Sequence, residues 1–439
     1  MLKRLIENQL LEWKNTADHK PLIIKGCRQC GKTFSVMRFA EDNYENVVYI
    51  NFFENPAYAS VFSESFDIDN ITMLLSALLG SKAKFVPGKT VIVFDEIQEC
   101  PEARTALKFF KLDGRYDIIC AGSLLGVKGY GKEPKSVPVG YETVITMYPL
   151  CFEEFLWAND ITPAVIEMLK KHLEEKTPVE EALHLRLRQL LRQYIVVGGM
   201  PDAVQTFVET KQPAAVLAIQ RDIVRSYEDD MIKYANEKDK ALIRQCFQSI
   251  PKQLAKENKK FQYSLIKKGS TAASFAGSLQ WVEDAGIINR CYNLRTTELP
   301  LDGNSDENSF KVYMADTGLF ISMLEDGTQF DILSGNLLGY KGAIYENLAA
   351  DIFAKMGRRL YYFHKDSGLE IDFFIRYKGK CTPVEVKAAR GNAKSLKTIL
   401  KNTDVYHLDS ALKLGDYNIG EENGVLTLPF YLAFLLTEY

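Results

Sequence analysis

No apolar run in this chain approaches the ~20 residues that a bilayer-spanning helix needs; the longest near its end, Phe430 to Leu436, has seven. A membrane-spanning segment is therefore not expected. Nor is a secretory leader, because Glu7, Asn8 and Gln9 interrupt the start, and Leu2, Leu5, Ile6, Leu10 and Trp13 trace one face of a helix instead. Neither sign of charge dominates: 54 Lys+Arg stand against 57 Asp+Glu, a formal net charge of -3. A chain that coats nucleic acid as a polycation is excluded, and any such contact has to be a local patch. Cysteine is sparse, eight in 439 residues, and scattered without paired spacing apart from Cys27 and Cys30. That excludes a disulfide framework and fits reduced thiols in the cytoplasm. With 15 Pro, 28 Gly and no internal repeat, collagenous and low-complexity classes drop out as well. What remains is a globular protein of about three domains by length.

The first 150 residues alternate short apolar runs with helical stretches, which predicts an α/β domain built on a parallel sheet. The expected strands are Pro21 to Lys25, Val47 to Phe52, Thr90 to Phe94, Asp117 to Ala121 and Thr143 to Met147. From Pro163 to about Tyr234 the pattern turns helical and reads as a lid or connector, broken at Gly198-Gly199-Met200-Pro201. Between Asp239 and Leu294, two helices before Phe261, a further helix to Ala285 and a strand from Ile287 give the order of a winged helix. Leu299 to Ser309, rich in Asp, Asn, Gly and Ser, reads as a linker. After it come a helix around Glu346, strands at Leu360 to Phe363, Ile371 to Arg376 and Pro383 to Lys387, and a helix from Ser395. The expected domains are thus 1–160, a connector over 161–238, a winged helix over 239–300 and a C-terminal α/β domain over 310–439.

Gly26-Cys27-Arg28-Gln29-Cys30-Gly31-Lys32-Thr33 fits G-x-x-x-x-G-K-[ST] at every fixed position, between a strand and a helix that continues into Phe34. Such a loop turns backbone N–H groups toward phosphate oxygens, Lys32 reaches the outer phosphates and Thr33 holds Mg²⁺, so ATP and Mg²⁺ are the expected cofactors. The strand Val91-Ile92-Val93-Phe94 ends in Asp95-Glu96. Asp95 is placed to bind Mg²⁺ through water and Glu96 to orient or deprotonate the attacking water, which favours an ATPase over a small-molecule kinase. Ser123, at the end of the next strand, is a candidate sensor of the γ-phosphate. A zinc reading of Cys27 and Cys30 lacks a second pair and a nearby His.

These motifs, with Phe94 to Gln98, Ala121-Gly122-Ser123 and Tyr148 to Phe155, resemble the AAA-type ATPases of prokaryotes that carry a C-terminal DUF4143 domain. Val197 to Pro201, Tyr313 to Leu319, Glu370 to Phe373 and Glu385-Val386-Lys387 resemble that second domain. Where the family often has a basic residue after the glycine before the fifth strand, Gly140 is here followed by Tyr141. Arg28 or Arg221 is the alternative source of positive charge.

Strand alternation places Glu385 and Lys387 on one face of their strand, Asp372 lies in the strand before, and Glu346 on an upstream helix. An acid, then E-x-K, with a helical acid upstream resembles the PD-(D/E)-x-K nuclease fold. The resemblance implies Mg²⁺ bound by Asp372, Glu385 and Glu346, with Lys387 steadying the attacking water or the developing charge. Lys252 to Lys268 holds six lysines and one glutamate, a local +5 that suits nucleic-acid phosphates, and Lys128, Lys132 and Lys135 add a weaker cluster. The reading is an Mg²⁺-dependent ATPase whose nucleotide state controls a winged-helix and nuclease-like module acting on DNA or RNA, with self-association compatible. The alternative is a nucleotide-switched regulatory or defence protein whose nuclease-like domain only binds a partner.

Overall fold

The computed structural model describes residues 2–123, 140–234, 237–256, 260–336, 340–388 and 394–438. They form two compact units, one from Lys3 to Pro149 and one made of Leu150–Glu283 and Ile287–Tyr439.

The first unit is a parallel five-stranded sheet of β1 (Leu22–Gly26), β2 (Asn46–Asn51), β3 (Thr90–Asp95), β4 (Asp117–Ser123) and β5 (Thr143–Met147), in the order β2-β3-β4-β1-β5. The middles of β1, β3 and β4 are apolar because both faces of the sheet are covered there. Ile92 and Phe94 enter one core with Leu75, Leu107 and Phe110, while their neighbours Val91 and Val93 enter another with Leu10, Val36 and Phe39. Insertion of β4 between β1 and β3 sets Ser123 beside Gly26, its register partner. The strand ends Gly26, Ser123 and Asp95 thus lie along the same edge of the sheet.

The second unit holds an eight-stranded mixed sheet of β6 (Ile288–Leu294), β7 (Ser305–Met314), β8 (Leu360–His364), β9 (Glu370–Tyr377), β10 (Lys380–Lys387), β11 (Ala411–Gly415), β12 (Gly420–Glu422) and β13 (Val425–Pro429). Its order is β12-β13-β11-β10-β9-β8-β6-β7. Three expectations change here. Leu299 to Ser309 is no linker: it contains a 3-10 turn, Asp302–Asn304, and the first half of β7. That half is polar because its outer residues face solvent, and polarity alone imitated a loop. The strand expected to close a separate winged helix, β6, pairs with both β7 and β8, so it belongs to the same sheet as β9 and β10. Finally, a single helix, Glu237–Leu254, runs through Pro251 where two were expected before Phe261. The helices read as a lid or connector, from Pro163 to Tyr234, belong to this second unit.

The helix Lys341–Lys355 is buried on nearly every side and carries a polar stripe at four-residue spacing. Asn347 accepts from the Met314 N–H at 2.8 Å, and Asp351 accepts from the Thr317 N–H and hydroxyl at 3.0 and 2.9 Å. Lys355 pairs with Asp351 at 2.7 Å and reaches Asp316 at 3.4 Å and the Tyr194 hydroxyl at 3.0 Å. Asp316 in turn accepts from the Gly199 N–H at 2.7 Å. The backbones touch so closely that a Cβ on Gly199 would stand 2.1 Å from the Leu150 carbonyl oxygen, and one on Gly318 2.5 Å from that of Val197. Two glycine motifs far apart in sequence therefore meet around one buried ammonium. Lys355→Met should cost about 3–5 kcal/mol, because it leaves Asp351 and Asp316 without their buried cation; the urea midpoint of the second unit is the measurement.

Candidate functional site

The phosphate-type loop spans from the end of β1 to the helix Lys32–Asn43. Gly31 has φ 91° and Gln29 φ 61°, so the loop turns twice through the left-handed region before the helix begins. Gly26 admits no side chain: a Cβ there would lie 2.3 Å from the Met147 carbonyl oxygen. No side chain caps the helix, which leaves the N–H groups of its first turn to an external acceptor. Lys32 donates to the Gly26 and Cys27 carbonyls at 3.2 and 2.8 Å and so lies against the loop. Phe34 projects outward, 58 % exposed, and Arg28 is half-buried while Gln29 is exposed.

Asp95 is the centre of the polar network. Only 4 % exposed, it accepts from the Thr33 hydroxyl at 3.0 Å, the Tyr49 hydroxyl at 2.8 Å and the Glu96 N–H at 3.0 Å. Glu96 follows in the left-handed region, φ 51°, an unusual place for a residue with a side chain. Its carboxylate accepts from Gln98. Thr33 and Asp95 are thus the two oxygen donors that would hold Mg²⁺, with Glu96 beside them. The donor set and the open helix N-terminus fit a nucleoside triphosphate with Mg²⁺.

Three braces here were not read from the sequence. Arg4, buried, donates to the Cys30 carbonyl at 3.0 Å and the Tyr148 carbonyl at 2.7 Å, tying the loop to the chain after β5. Tyr49 and Asn51, alternate residues of β2, reach Asp95 from the neighbouring strand; the period of two could have flagged them. A hydrogen bond from Cys27, aided by the charges of Lys32 and Arg4, draws the buried Cys30 thiol down to about 6. Arg221 is paired with Asp326 in the second unit. Lys128, Lys132 and Lys135 lie outside the described residues, as does Lys259, while Lys252, Lys256, Lys260, Lys267 and Lys268 are exposed.

In the second unit, Glu346, Asp372, Glu385 and Lys387 come together, and two groups join them. Three residues of β8, Tyr361 to Phe363, face four of β9, Ile371 to Phe374, so a bulge falls at Asp372–Phe373. Simple alternation did not foresee it; bulges re-aim side chains in this way. Asp372 accepts from the Val386 N–H at 2.8 Å, and Lys387 donates to Glu385 at 2.5 Å. Lys311, a buried residue of β7, donates to Glu370 at 2.6 Å and stands 3.9 Å from Glu346, which also accepts from the Tyr313 hydroxyl at 3.1 Å. Lys311 was missed because no strand was expected between the linker read over Leu299 to Ser309 and the helix around Glu346. Burial, followed by the charges of Glu346 and Glu385, pushes Asp372 up to about 8. Burial raises Glu385 too, and the surrounding carboxylates keep Lys311 charged against its own burial. One oxygen of Glu385, Oε2, is buried without a hydrogen-bond partner. As they stand, no three acidic, His or Cys side chains among the described residues are grouped to hold a metal ion. Four carboxyl groups share two lysines there, and a divalent cation would take the place of the proton that burial holds on Asp372.

The chain matches three families in succession: an AAA domain over residues 18–156, a domain of unknown function, DUF8612, over 188–329, and a domain of unknown function, DUF4143, over 341–431. No curated protein matches it. Among solved structures it is similar to the Walker-type ATPase PABY2304 of Pyrococcus abyssi, with 13 % identity over 74 % of this chain and 96 % of that one and a TM-score of 0.43. It is also similar to the ADPNP–ADP complex of the ORC2 protein of Aeropyrum pernix, with 14 % identity over 80 % and 92 % of the two chains and a TM-score of 0.35. AMPPCP-bound DnaA from Aquifex aeolicus shows 12 % identity over 64 % and 86 % and a TM-score of 0.29.

The raised Asp372 fixes the sign of a pH dependence. A carboxyl that binds its proton more tightly folded than unfolded gives its stabilisation fully below the unfolded value, about 4, and loses it as pH rises through about 8. In EDTA, the urea midpoint of the second unit should therefore fall between pH 5 and 9, and Asp372→Asn should flatten that fall. An equal slope in the variant would place the titration elsewhere.

Proposed function

We propose that this chain, which joins an AAA-type P-loop ATPase domain to a C-terminal DUF4143 domain, is an Mg²⁺-dependent ATPase whose nucleotide state controls a nuclease-like centre acting on nucleic acid. The observation that carries the ATPase half is the Thr33–Asp95 hydrogen bond, which links the loop to the β3 tip where Glu96 stands. Bound Mg²⁺ supplies charge neutralisation at the outer phosphates. The loop N–H groups orient the phosphates, Lys32 turns from the Gly26 and Cys27 carbonyls toward them, and Thr33 and Asp95 would hold the ion. Glu96, set off the strand by its left-handed backbone, orients a water and takes its proton, while Gln98 steadies the carboxylate. Ser123, at the level of Gly26, is close enough to the loop to sense its occupancy.

For the C-terminal half, Asp372, Glu385 and Glu346 would hold a divalent ion and Lys387 would steady a developing negative charge. The partnerless Glu385 oxygen supports this reading. The rival, a nuclease-like fold kept for binding a partner, is favoured by a different observation: Lys387 already neutralises Glu385, and Lys311 already neutralises Glu370. Cleavage of DNA and RNA with Mn²⁺, wild type against Glu385→Ala, separates the two.

Nucleotide at 100 times its dissociation constant stabilises a protein by about 2.7 kcal/mol. Lys32→Ala should lose that thermal shift with Mg²⁺ and ATP. Glu96→Gln should keep the shift while hydrolysis slows by about two to four orders of magnitude. Wild-type turnover by the Glu96 variant, read as phosphate release, would remove Glu96 from the role of base.

A further inference from the structure

Beside the acidic centre lies a groove of about 540 Å³ between the helix Lys394–Lys401 and strands β11 to β13. Lys397, Lys401 and Lys413 line it, with Glu422, Asn423 and Thr427. Three ammonium groups thus face one carboxylate. The helix buries Leu396 and Ile399 and leaves Lys397 and Lys401 exposed, one turn and about 6 Å apart on the groove side. From the groove floor the sheet leads to the acids. Thr427 of β13 is the register partner of Lys413 of β11, and Lys413 is the register partner of Glu385 of β10. Register partners in a parallel ladder project to the same face, with strands about 4.8 Å apart. Lys413 therefore stands one strand from Glu385, between the groove and the acidic centre.

The aim of Lys413 is set by packing. Its ammonium lies 4.2 Å from the centre of the Tyr417 ring. That ring needs the bare backbone of Gly415, where a Cβ would come within 2.5 Å of it, and Gly415 is the register partner of Lys387. An aromatic ring and a lysine thus adjoin the E-x-K strand on the side where the groove opens.

We infer that this groove binds the phosphodiester backbone of a nucleic acid and leads it to the centre formed by Glu346, Asp372, Glu385 and Lys387. The inference rests on the nuclease-like reading for its direction, though the binding itself does not need cleavage. Spaced, solvent-facing lysines are point charges suited to a repeating polyanion. They lack the converging N–H groups of the loop at Gly26–Thr33, which would select a free nucleotide.

The test uses the full chain in EDTA, so that nothing is cut, with fluorescein-labelled single-stranded and duplex oligonucleotides and anisotropy from 50 to 200 mM salt. Lys397→Gln/Lys401→Gln should weaken binding and make log affinity against log salt shallower by about 1.4 on single strands or about 1.8 on duplex, two contacts' worth. Lys397→Arg/Lys401→Arg should restore the slope. An unchanged thermal shift with ATP shows that the variants are folded. A wild-type chain that binds neither oligonucleotide, a double Gln variant with the wild-type slope, or equal competition by polyglutamate overturns the inference. Cleavage with Mn²⁺ is read separately: no cleavage by the wild type, together with a lost slope in the Gln variant, upholds the groove and rejects the nuclease reading instead.

Discussion

Lys355 holds its charge where 2 % of its side chain reaches solvent, and much of the second unit is arranged to make that tolerable. A buried ammonium needs a carboxylate and hydrogen-bond acceptors around it. Asp351 and Asp316 supply the first, the Tyr194 hydroxyl and the Leu150 carbonyl the second. Because Asp316 is also held by the Gly199 N–H, the turn before the helix Pro201–Thr210 and the turn after β7 are fixed by the same ion pair. The helix Lys341–Lys355 that delivers Lys355 also delivers Glu346, about two and a half turns earlier, to the acidic centre. Structural charge and candidate chemistry thus share one rigid element, as a site that must hold its geometry requires.

The same constraint shapes the first unit on a smaller scale. Asp95 is buried among the hydroxyls of Thr33 and Tyr49 and the N–H of Glu96, so its orientation is fixed before any ligand arrives. Arg4 does the equivalent for the loop by binding the Cys30 and Tyr148 carbonyls. Preorganised oxygens and a braced loop are what phosphoryl chemistry asks of a protein, since positioning and electrostatics supply most of the catalysis.

Legibility in the sequence follows burial. The central strands β1, β3 and β4 of the first unit are covered on both faces, so Val91-Ile92-Val93-Phe94 reads as a strand without ambiguity, and its acidic tip reads as chemistry. In the second unit β9 and β10 carry buried apolar runs and were expected, whereas β7 begins with the polar, partly exposed Ser305 to Asn308 and looked like a linker. With β7 went Lys311, whose importance lies in pairing across the sheet with Glu370, a contact that no local pattern encodes. The bulge at Asp372 was invisible for a similar reason: it is a property of the pairing between β8 and β9. The short strands β11 to β13, of five, three and five residues, carry too few side chains for a period of two to show. Without them the lysines of the helix Lys394–Lys401 look like one more solvated face.

The loop from Gly26 to Thr33 can serve as a nucleotide site only together with the Asp95 network. Isothermal titration of the full chain with a non-hydrolysable ATP analogue, in Mg²⁺ and again in EDTA, measures this without relying on turnover. Saturable one-to-one binding in Mg²⁺ that weakens in EDTA, and loses that metal dependence in Asp95→Asn, is the predicted result. No binding in either buffer, or binding of equal strength in EDTA, would contradict it.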